Sequence, residues 1–275
     1  MNNKIKTACI QLTSSPDMDE NMKAAAALIR KAAEQGAQFI LTPENTDQMR
    51  RYVKDRVATS GDMSAHKPIA FFAALAKELG IWLLIGSLGV RVSGEKLANR
   101  SFLFPPDGKI VQTYDKIHMF DVTLSRTEFY RESAEFEPGT KAAIADMEGV
   151  KLGMGICYDL RFPHLWRDMA KAGAQILTAP SAFTMPTGQA HWEVLLRARA
   201  IETGSFVLAA AQTGEHEGGR QTWGHSMIIS PWGEILSAME REIGIITAEI
   251  DLNEVEKARA SIPALQHDRD YEIKI

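Results

Sequence analysis

The chain is poor in cysteine, with only Cys9 and Cys157 among its 275 residues. Two thiols cannot form the disulfide framework of a small secreted domain, and neither lies in a Cys-x-x-Cys pair or a Cys/His cluster, so a structural zinc is not expected. An excess of positive charge is also missing: Lys and Arg number 31 against 35 Asp and Glu, a net charge of −4 with a pI near 6.0. A phosphate backbone needs clustered Lys and Arg, so nucleic acid is not an expected partner. No apolar run is long enough to span a bilayer, and the opening Met1-Asn2-Asn3-Lys4-Ile5-Lys6 is polar, without a signal-peptide core; a cytoplasmic protein with no membrane partner is expected. No Pro/Gly/Ser-rich linker, charge block, low-complexity tract or short repeat marks a boundary. Residues 1–275 therefore read as a single domain, and a 45% hydrophobic composition is enough for a large core.

What is present is an alternation of apolar strands and amphipathic helices. Ile5–Leu12 reads as a strand, Asp19–Gln35 as a helix closed by Gly36, and Gln38–Thr42 as a short strand ending at Pro43-Glu44. A second helix over Ser64–Leu79 stops at Gly80 and leads into the strand Ile81–Ser87. The middle differs: Asn99–Phe104 and Ile110–Tyr114 are joined by Pro105-Pro106-Asp107-Gly108, a hairpin signal, and a long irregular segment runs from Lys116 to Gly139. The alternation then resumes with a strand ending at Cys157, a helix over Pro163–Ala172, a strand at Gln175–Ala179, a helix over Gln189–Glu202 and a strand at Phe206–Ala211. Short strands near Met227, Ile235 and Ile245 precede a last helix opened by Asp251. The pattern specifies an α/β fold with mixed sheets, either two sheets face to face or one doubly wound sheet.

The most informative stretch is Gly153-Met154-Gly155-Ile156-Cys157-Tyr158-Asp159-Leu160-Arg161-Phe162-Pro163, where an apolar run ends on a thiol just before a helix-compatible segment. Such a junction places a side chain at the carboxyl end of a strand and leaves backbone N–H groups free to stabilise an oxyanion. Cys157 is the candidate nucleophile. Cys9, inside a strand-like run with no turn after it, reads as a core residue. A thiol nucleophile needs a base. His118, His164, His191 and His225 are available, but no spacing singles one out. Glu44, just past a strand end, is the alternative base, and Lys116, just past Tyr114-Asp115, is a cation that can face an oxyanion.

Pro43-Glu44-Asn45, Tyr114-Asp115-Lys116-Ile117-His118 and Gly155-Ile156-Cys157-Tyr158-Asp159-Leu160-Arg161-Phe162-Pro163 together resemble, in order and spacing, the motifs of the nitrilase-like carbon–nitrogen hydrolases. The resemblance covers almost the whole chain. It implies a four-layer α-β-β-α sandwich of two mixed sheets and a Glu44–Lys116–Cys157 triad. In that scheme Cys157 attacks a carbonyl carbon, Glu44 serves as base and then acid, and Lys116 with the Tyr158 N–H holds the oxyanion. A second glutamate corresponds to Glu132, with Glu128 as its competitor. The cycle it implies needs no metal or cofactor. A catalytically idle scaffold of the same fold would be expected to lack one of the triad residues, and none is lacking.

Pro180-Ser181-Ala182-Phe183, Lys116-Ile117-His118-Met119-Phe120-Asp121 and Gly224-His225-Ser226-Met227 further resemble the branch that contains deaminated-glutathione amidases and ω-amidases, more the former than the latter. That implies a small amide substrate carrying a carboxylate, for which Arg161 is the candidate partner and Thr187 a candidate pocket residue. Other aliphatic amides or nitriles are the remaining substrate alternatives. The family also implies a homodimer or higher homo-oligomer, with Leu165, Trp166 and Met169 on the helix after Cys157 as a candidate contact stripe.

Overall fold

A computed structural model describes residues 3–274. In chain order the strands and helices are β1 (Lys4–Gln11), α1 (Met18–Glu34), β2 (Phe39–Leu41), α2 (Val53–Thr59), α3 (Lys67–Leu79), β3 (Trp82–Ser93), β4 (Lys96–Phe104) and β5 (Gln112–Asp115). Then follow β6 (Asp121–Thr123), β7 (Phe129–Arg131), β8 (Ala143–Met147), β9 (Val150–Met154), α4 (Pro163–Lys171), β10 (Ile176–Thr178), α5 (Met185–Thr203) and β11 (Phe206–Ala209). The chain closes with β12 (Thr213–Glu215), β13 (Gln221–Trp223), β14 (Met227–Ile229), β15 (Ile235–Ala238), β16 (Gly244–Asp251) and α6 (Asn253–Ser261).

Two six-stranded mixed sheets result, ordered β16-β1-β2-β3-β4-β5 and β15-β14-β11-β10-β9-β8. The period of two in each strand divides its side chains between two cores. In the first sheet Cys9, Phe39, Leu41 and Leu84 point at the second sheet, while Ala8, Ile10, Ile40, Leu83 and Ile85 point outward to α1 and α3. The outer face of the second sheet is covered by α4 and α5 through Leu165, Trp166, Met169, Trp192 and Leu196. The layering is therefore helix, sheet, sheet, helix, as the family resemblance implies. Strands β2 and β3, and likewise β9, β10 and β11, run parallel. Because β4 is antiparallel to both β3 and β5, β5 points the same way as β3, and the chain leaves β2 and β5 at one end of its sheet.

Several elements depart from the sequence expectations. The strand expected to stop at Ser87 continues to Ser93 and turns at Gly94 into β4, a longer hairpin than the one at Pro105–Gly108. The 116–139 segment carries the β6–β7 ribbon, and β8 adds an edge strand beside β9. Helix α5 starts at Met185 instead of Gln189, with Pro186 in its first turn, where the missing N–H costs nothing. The stripe Leu165, Trp166 and Met169 is not a contact surface: all three are buried between α4 and its sheet, because an amphipathic helix outside a sheet turns its apolar face inward. The large exposed apolar side chains nearby are Val194, Ile201, Trp232 and Ile262. No helix among the described residues is long and apolar enough to cross a membrane.

Candidate active site

Glu44 follows β2, Lys116 follows β5 and Cys157 follows β9, so three strand ends deliver them to one place. The bonds there are short and reciprocal. Glu44 Oε1 accepts from Lys116 Nζ at 2.9 Å and from Asn99 Nδ2 at 2.9 Å, while its Oε2 accepts from the Ala182 N–H at 2.9 Å. Lys116 Nζ also donates to both oxygens of Glu132, at 2.8 and 2.9 Å. Glu132 is held in turn by Asn99 Nδ2 at 3.0 Å and the Phe120 N–H at 2.6 Å. Glu128, the competitor for the second-glutamate position, lies on the β6–β7 ribbon and accepts from Tyr130 OH at 3.1 Å.

Cys157 has φ of +49°, the left-handed region that a side chain enters only when its surroundings impose it. The turn is fixed by its neighbours. The Cys157 N–H donates to Pro180 O at 2.9 Å, and the buried Asp159 accepts from the Ile156 N–H at 2.9 Å, Tyr114 OH at 2.7 Å and the His118 N–H at 3.1 Å. Asp159 thus ties the cysteine turn to the end of β5. The Tyr158 N–H donates to no protein acceptor among the described residues, so it is free for a developing oxyanion. Behind Glu44, Gly86 leaves room for its loop: a Cβ there would fall 2.1 Å from Thr42 O and 2.5 Å from Pro43 O. The loop is braced below by Gln212, whose Nε2 donates to Glu44 O at 2.9 Å and Ser14 Oγ at 2.7 Å.

The electrostatics assign a resting state. Burial pushes the Glu44 carboxyl up, but the Lys116 ammonium and the hydrogen bonds from Lys116 and Asn99, with the Cys157 thiol beside them, outweigh it and hold the group below its ordinary value, so it is ionised. Burial pushes the Cys157 thiol up and the Glu44 charge adds to this; Lys116 and the Ala182 N–H only partly offset the rise, so the thiol is protonated. Burial works to lower the Lys116 pKa, but the carboxylates of Glu132 and Glu44 prevail and the ammonium is held above its usual range. A neutral thiol and an ionised carboxylate therefore share the cleft with a fixed ammonium. The four histidines play other parts. His118 bonds Asp159 at 2.7 Å and stacks on Phe162, His191 bonds Arg161, His225 stacks on Trp223, and His164 packs edge-on against Phe162. Cys9 is buried in the sheet interface, its thiol pushed up by burial that the Ala209 backbone only partly offsets.

These groups sit in a cleft of about 690 Å³ whose walls include Glu44, Lys116, Glu132, Cys157, Tyr158 and Thr187. Arg161 is not in that wall. Its guanidinium faces His191 Nδ1 at 3.3 Å and lies over the rings of Tyr158 and Phe183, 5.9 and 5.5 Å from their centroids, two side chains that do line the cleft. Thr187 reaches the cleft, but its hydroxyl bonds Thr184 Oγ1 at 2.8 Å. Sequence reasoning missed Asn99, Asp159, Ala182 and Gln212. Asn99 and Gln212 were findable as amides at or beside the ends of apolar strands, and Asp159 as a carboxylate two residues after the cysteine. Ala182 acts through its backbone and carries no side-chain signal. Among the described residues no three His, Cys, Asp or Glu side chains converge to hold a metal ion.

Comparison with known proteins finds relatives over almost the whole chain. A family model described as carbon-nitrogen hydrolase matches residues 6–260. Deaminated glutathione amidase of Bos taurus is 41% identical over 268 residues, spanning 95% of this chain and 81% of the relative. Omega-amidase NIT2 of Xenopus tropicalis is 36% identical over 262 residues, 94% of this chain and 93% of the relative. The crystal structure of the C. elegans NitFhit protein superposes with a TM-score of 0.90 at 36% identity, covering 97% of this chain and 65% of that one.

Proposed function

Because this chain belongs to the carbon–nitrogen hydrolase family, as the match over residues 6–260 and its amidase relatives show, we propose that it hydrolyses the amide of deaminated glutathione through a thioester on Cys157. One observation carries the proposal. A protonated thiol on a left-handed turn shares the cleft with an ionised Glu44, which divides the buried Lys116 ammonium with Glu132.

The steps follow from these positions. As the Cys157 sulfur attacks the amide carbon, its proton passes to Glu44, and the carbonyl oxygen gains negative charge that Lys116 Nζ and the Tyr158 N–H stabilise. Collapse breaks the C–N bond while Glu44 delivers its proton to the departing nitrogen. Water then enters, loses a proton to Glu44 and attacks the thioester. The acid leaves, and Glu44 returns the proton to the thiolate. Glu132 and Asn99 are positioning residues: through bonds to Lys116 and Glu44 they hold the ammonium and the carboxylate in register.

Relatives named for both deaminated glutathione and ω-amide hydrolysis support a substrate whose acyl half is a 2-oxo acid. We further propose that the chain acts as one catalytic domain and as a homodimer. Exposed Val194, Ile201, Trp232 and Ile262 supply apolar surface suited to a second copy. A reduced nucleophilic thiol suits a reducing compartment such as the cytoplasm. The direct test is release of amine or ammonia from deaminated glutathione, α-ketoglutaramate, a simple aliphatic amide and a nitrile, with Cys157→Ala as the blank. Preference for the first supports the proposal. Preference for α-ketoglutaramate moves the substrate to the ω-amidase side, and no Cys157-dependent turnover refutes it.

A further inference from the structure

The two groups assigned to the oxyanion come from different sheets. Lys116 follows β5 in the first sheet, and the Tyr158 N–H follows β9 in the second. Among the described residues no main-chain hydrogen bond joins residues 114–118 to residues 156–162. Every hydrogen bond between those two segments ends instead on one fully buried carboxylate, that of Asp159.

Each of its oxygens takes two partners. Oδ1 accepts from the His118 N–H at 3.1 Å and meets His118 Nδ1 at 2.7 Å, while Oδ2 accepts from Tyr114 OH at 2.7 Å and the Ile156 N–H at 2.9 Å. A carboxylate only accepts, so Nδ1 carries the proton. On one side the bonds fall two residues before and two residues after Lys116. On the other, Ile156 and Asp159 itself flank Cys157 and Tyr158. The main chain of Asp159 is fixed as well: its N–H donates to Ile156 O at 3.0 Å, and its O accepts from Trp166 Nε1 at 2.8 Å. Trp166 packs so closely under the turn that a Cβ on Gly155 would lie 2.9 Å from its ring. The His118 ring stacks on Phe162, with 3.5 Å between centroids. Asp159, Tyr114 and His118 all lie behind the cleft and are not part of its wall.

An oxyanion is stabilised only by donors at hydrogen-bond distance from the place it will occupy, and a misplacement of about 1 Å can cost about 10²-fold in rate. Donors from separate sheets keep that precision through whatever links their segments, and here the hydrogen-bonded link is Asp159. We propose that Asp159 is a positioning residue for the acylation step: its carboxylate sets the Tyr158 N–H relative to Lys116, and so assembles the oxyanion site across the two sheets without touching substrate. The assignment rests on the reading of Cys157 as the nucleophile of an acyl transfer. In Asp159→Asn the side chain keeps its shape, but one oxygen becomes an N–H₂ that faces two donors, which opens one side of the clamp.

The test compares two reactions of the same thiol. Acylation by deaminated glutathione or by p-nitrophenyl acetate passes through an oxyanion. Alkylation by chloroacetamide forms the S–C bond as chloride leaves a saturated carbon, and builds no such charge. In Asp159→Asn, kcat/KM for both acyl donors should fall about 10- to 100-fold, while alkylation of Cys157, followed by mass at its peptide, stays within about threefold of the unaltered protein. Tyr114→Phe removes one of the four bonds and should show the same pattern at about 3- to 10-fold; it carries the test if Asp159→Asn does not fold. Alkylation that falls in step with acylation would mean that Asp159 only holds the cysteine turn together, and would overturn the assignment. Unchanged acylation in Asp159→Asn, or in Tyr114→Phe should the first variant not fold, would overturn it too. Selective loss of p-nitrophenyl acetate turnover in a protein that hydrolyses no amide would leave the clamp standing and refute the amidase reading instead.

Discussion

At the scale of single residues, the chemistry rests on a proton that is in the right place before substrate arrives. Glu44 is ionised because Lys116 and Asn99, with the Cys157 thiol beside them, outweigh its burial, and Cys157 keeps its proton because burial and the Glu44 charge outweigh Lys116. On the proposed mechanism, general-base assistance from Glu44 is required in each half-reaction. Glu44→Gln should lower kcat by about 10²- to 10⁴-fold, measured as product release, with the far-ultraviolet circular dichroism unchanged. Replacing Lys116 removes the cation that stabilises the carboxylate. In Lys116→Met the Glu44 pKa should rise, so the acid limb of the pH–rate profile moves to higher pH while the residual rate falls. A profile whose acid limb does not move would show that Lys116 does not set the Glu44 ionisation. Cys9→Ala, by contrast, removes a thiol with no charged neighbour and should leave kcat intact at a modest cost in stability.

At the scale of elements, strand ends and the turns after them build the site, which explains what could be read in advance. Pro43-Glu44 and Asp115-Lys116 follow apolar runs, and Cys157 precedes a proline-initiated helix, so their places at strand ends are local properties. What links them is not local. Asn99 bridges Glu44 and Glu132 from the next strand, and the Ala182 backbone reaches Glu44 from beyond β10; such contacts exist only after the sheets pair. The β6–β7 ribbon and β8 went unread because three- to five-residue strands beside polar turns carry almost no periodic signal. Helix α4 was legible as a helix, but its apolar stripe gave no clue as to whether a sheet or a second copy covered it. The Gly86 contact supplies a prediction at this scale. Gly86→Ala would push a methyl group against the backbone at Thr42 and Pro43, so the variant should lose at least about 1–3 kcal/mol in chemical denaturation and lose activity by displacing Glu44. Full activity with unchanged stability would show that the loop tolerates a side chain.

At the scale of the whole molecule, the two sheets are joined at the active end by main-chain bonds between the first strand and the segment after β11, including the Thr213 N–H to Leu12 O at 2.8 Å. His216 reinforces that seam: Nδ1 donates to Ser14 O at 2.9 Å, and Nε2 meets Thr222 Oγ1 at 2.7 Å. Burial pushes its pKa down to about 4, so the folded seam holds a neutral ring that the unfolded chain protonates more readily. Stability is therefore full above the ordinary histidine range and declines as pH falls from about 6.5 toward 4. The expected loss is on the order of 3 kcal/mol, and urea unfolding across that range should show it, with a shallower pH dependence in His216→Gln. Equal pH dependence in both proteins would place the titration elsewhere. Association belongs to this scale as well: sedimentation equilibrium should give a dimer, and Trp232→Glu should shift it toward monomer if that exposed surface is the contact.

The central claim is a covalent acyl group on Cys157, and rapid-quench intact-mass spectrometry during turnover of deaminated glutathione tests it most directly. The account predicts a transient mass increase equal to the 2-oxo acyl group, mapped by proteolysis to the peptide containing Cys157 and absent from Cys157→Ala. Sustained hydrolysis by Cys157→Ala, or an acyl group mapped to any other residue, would contradict it.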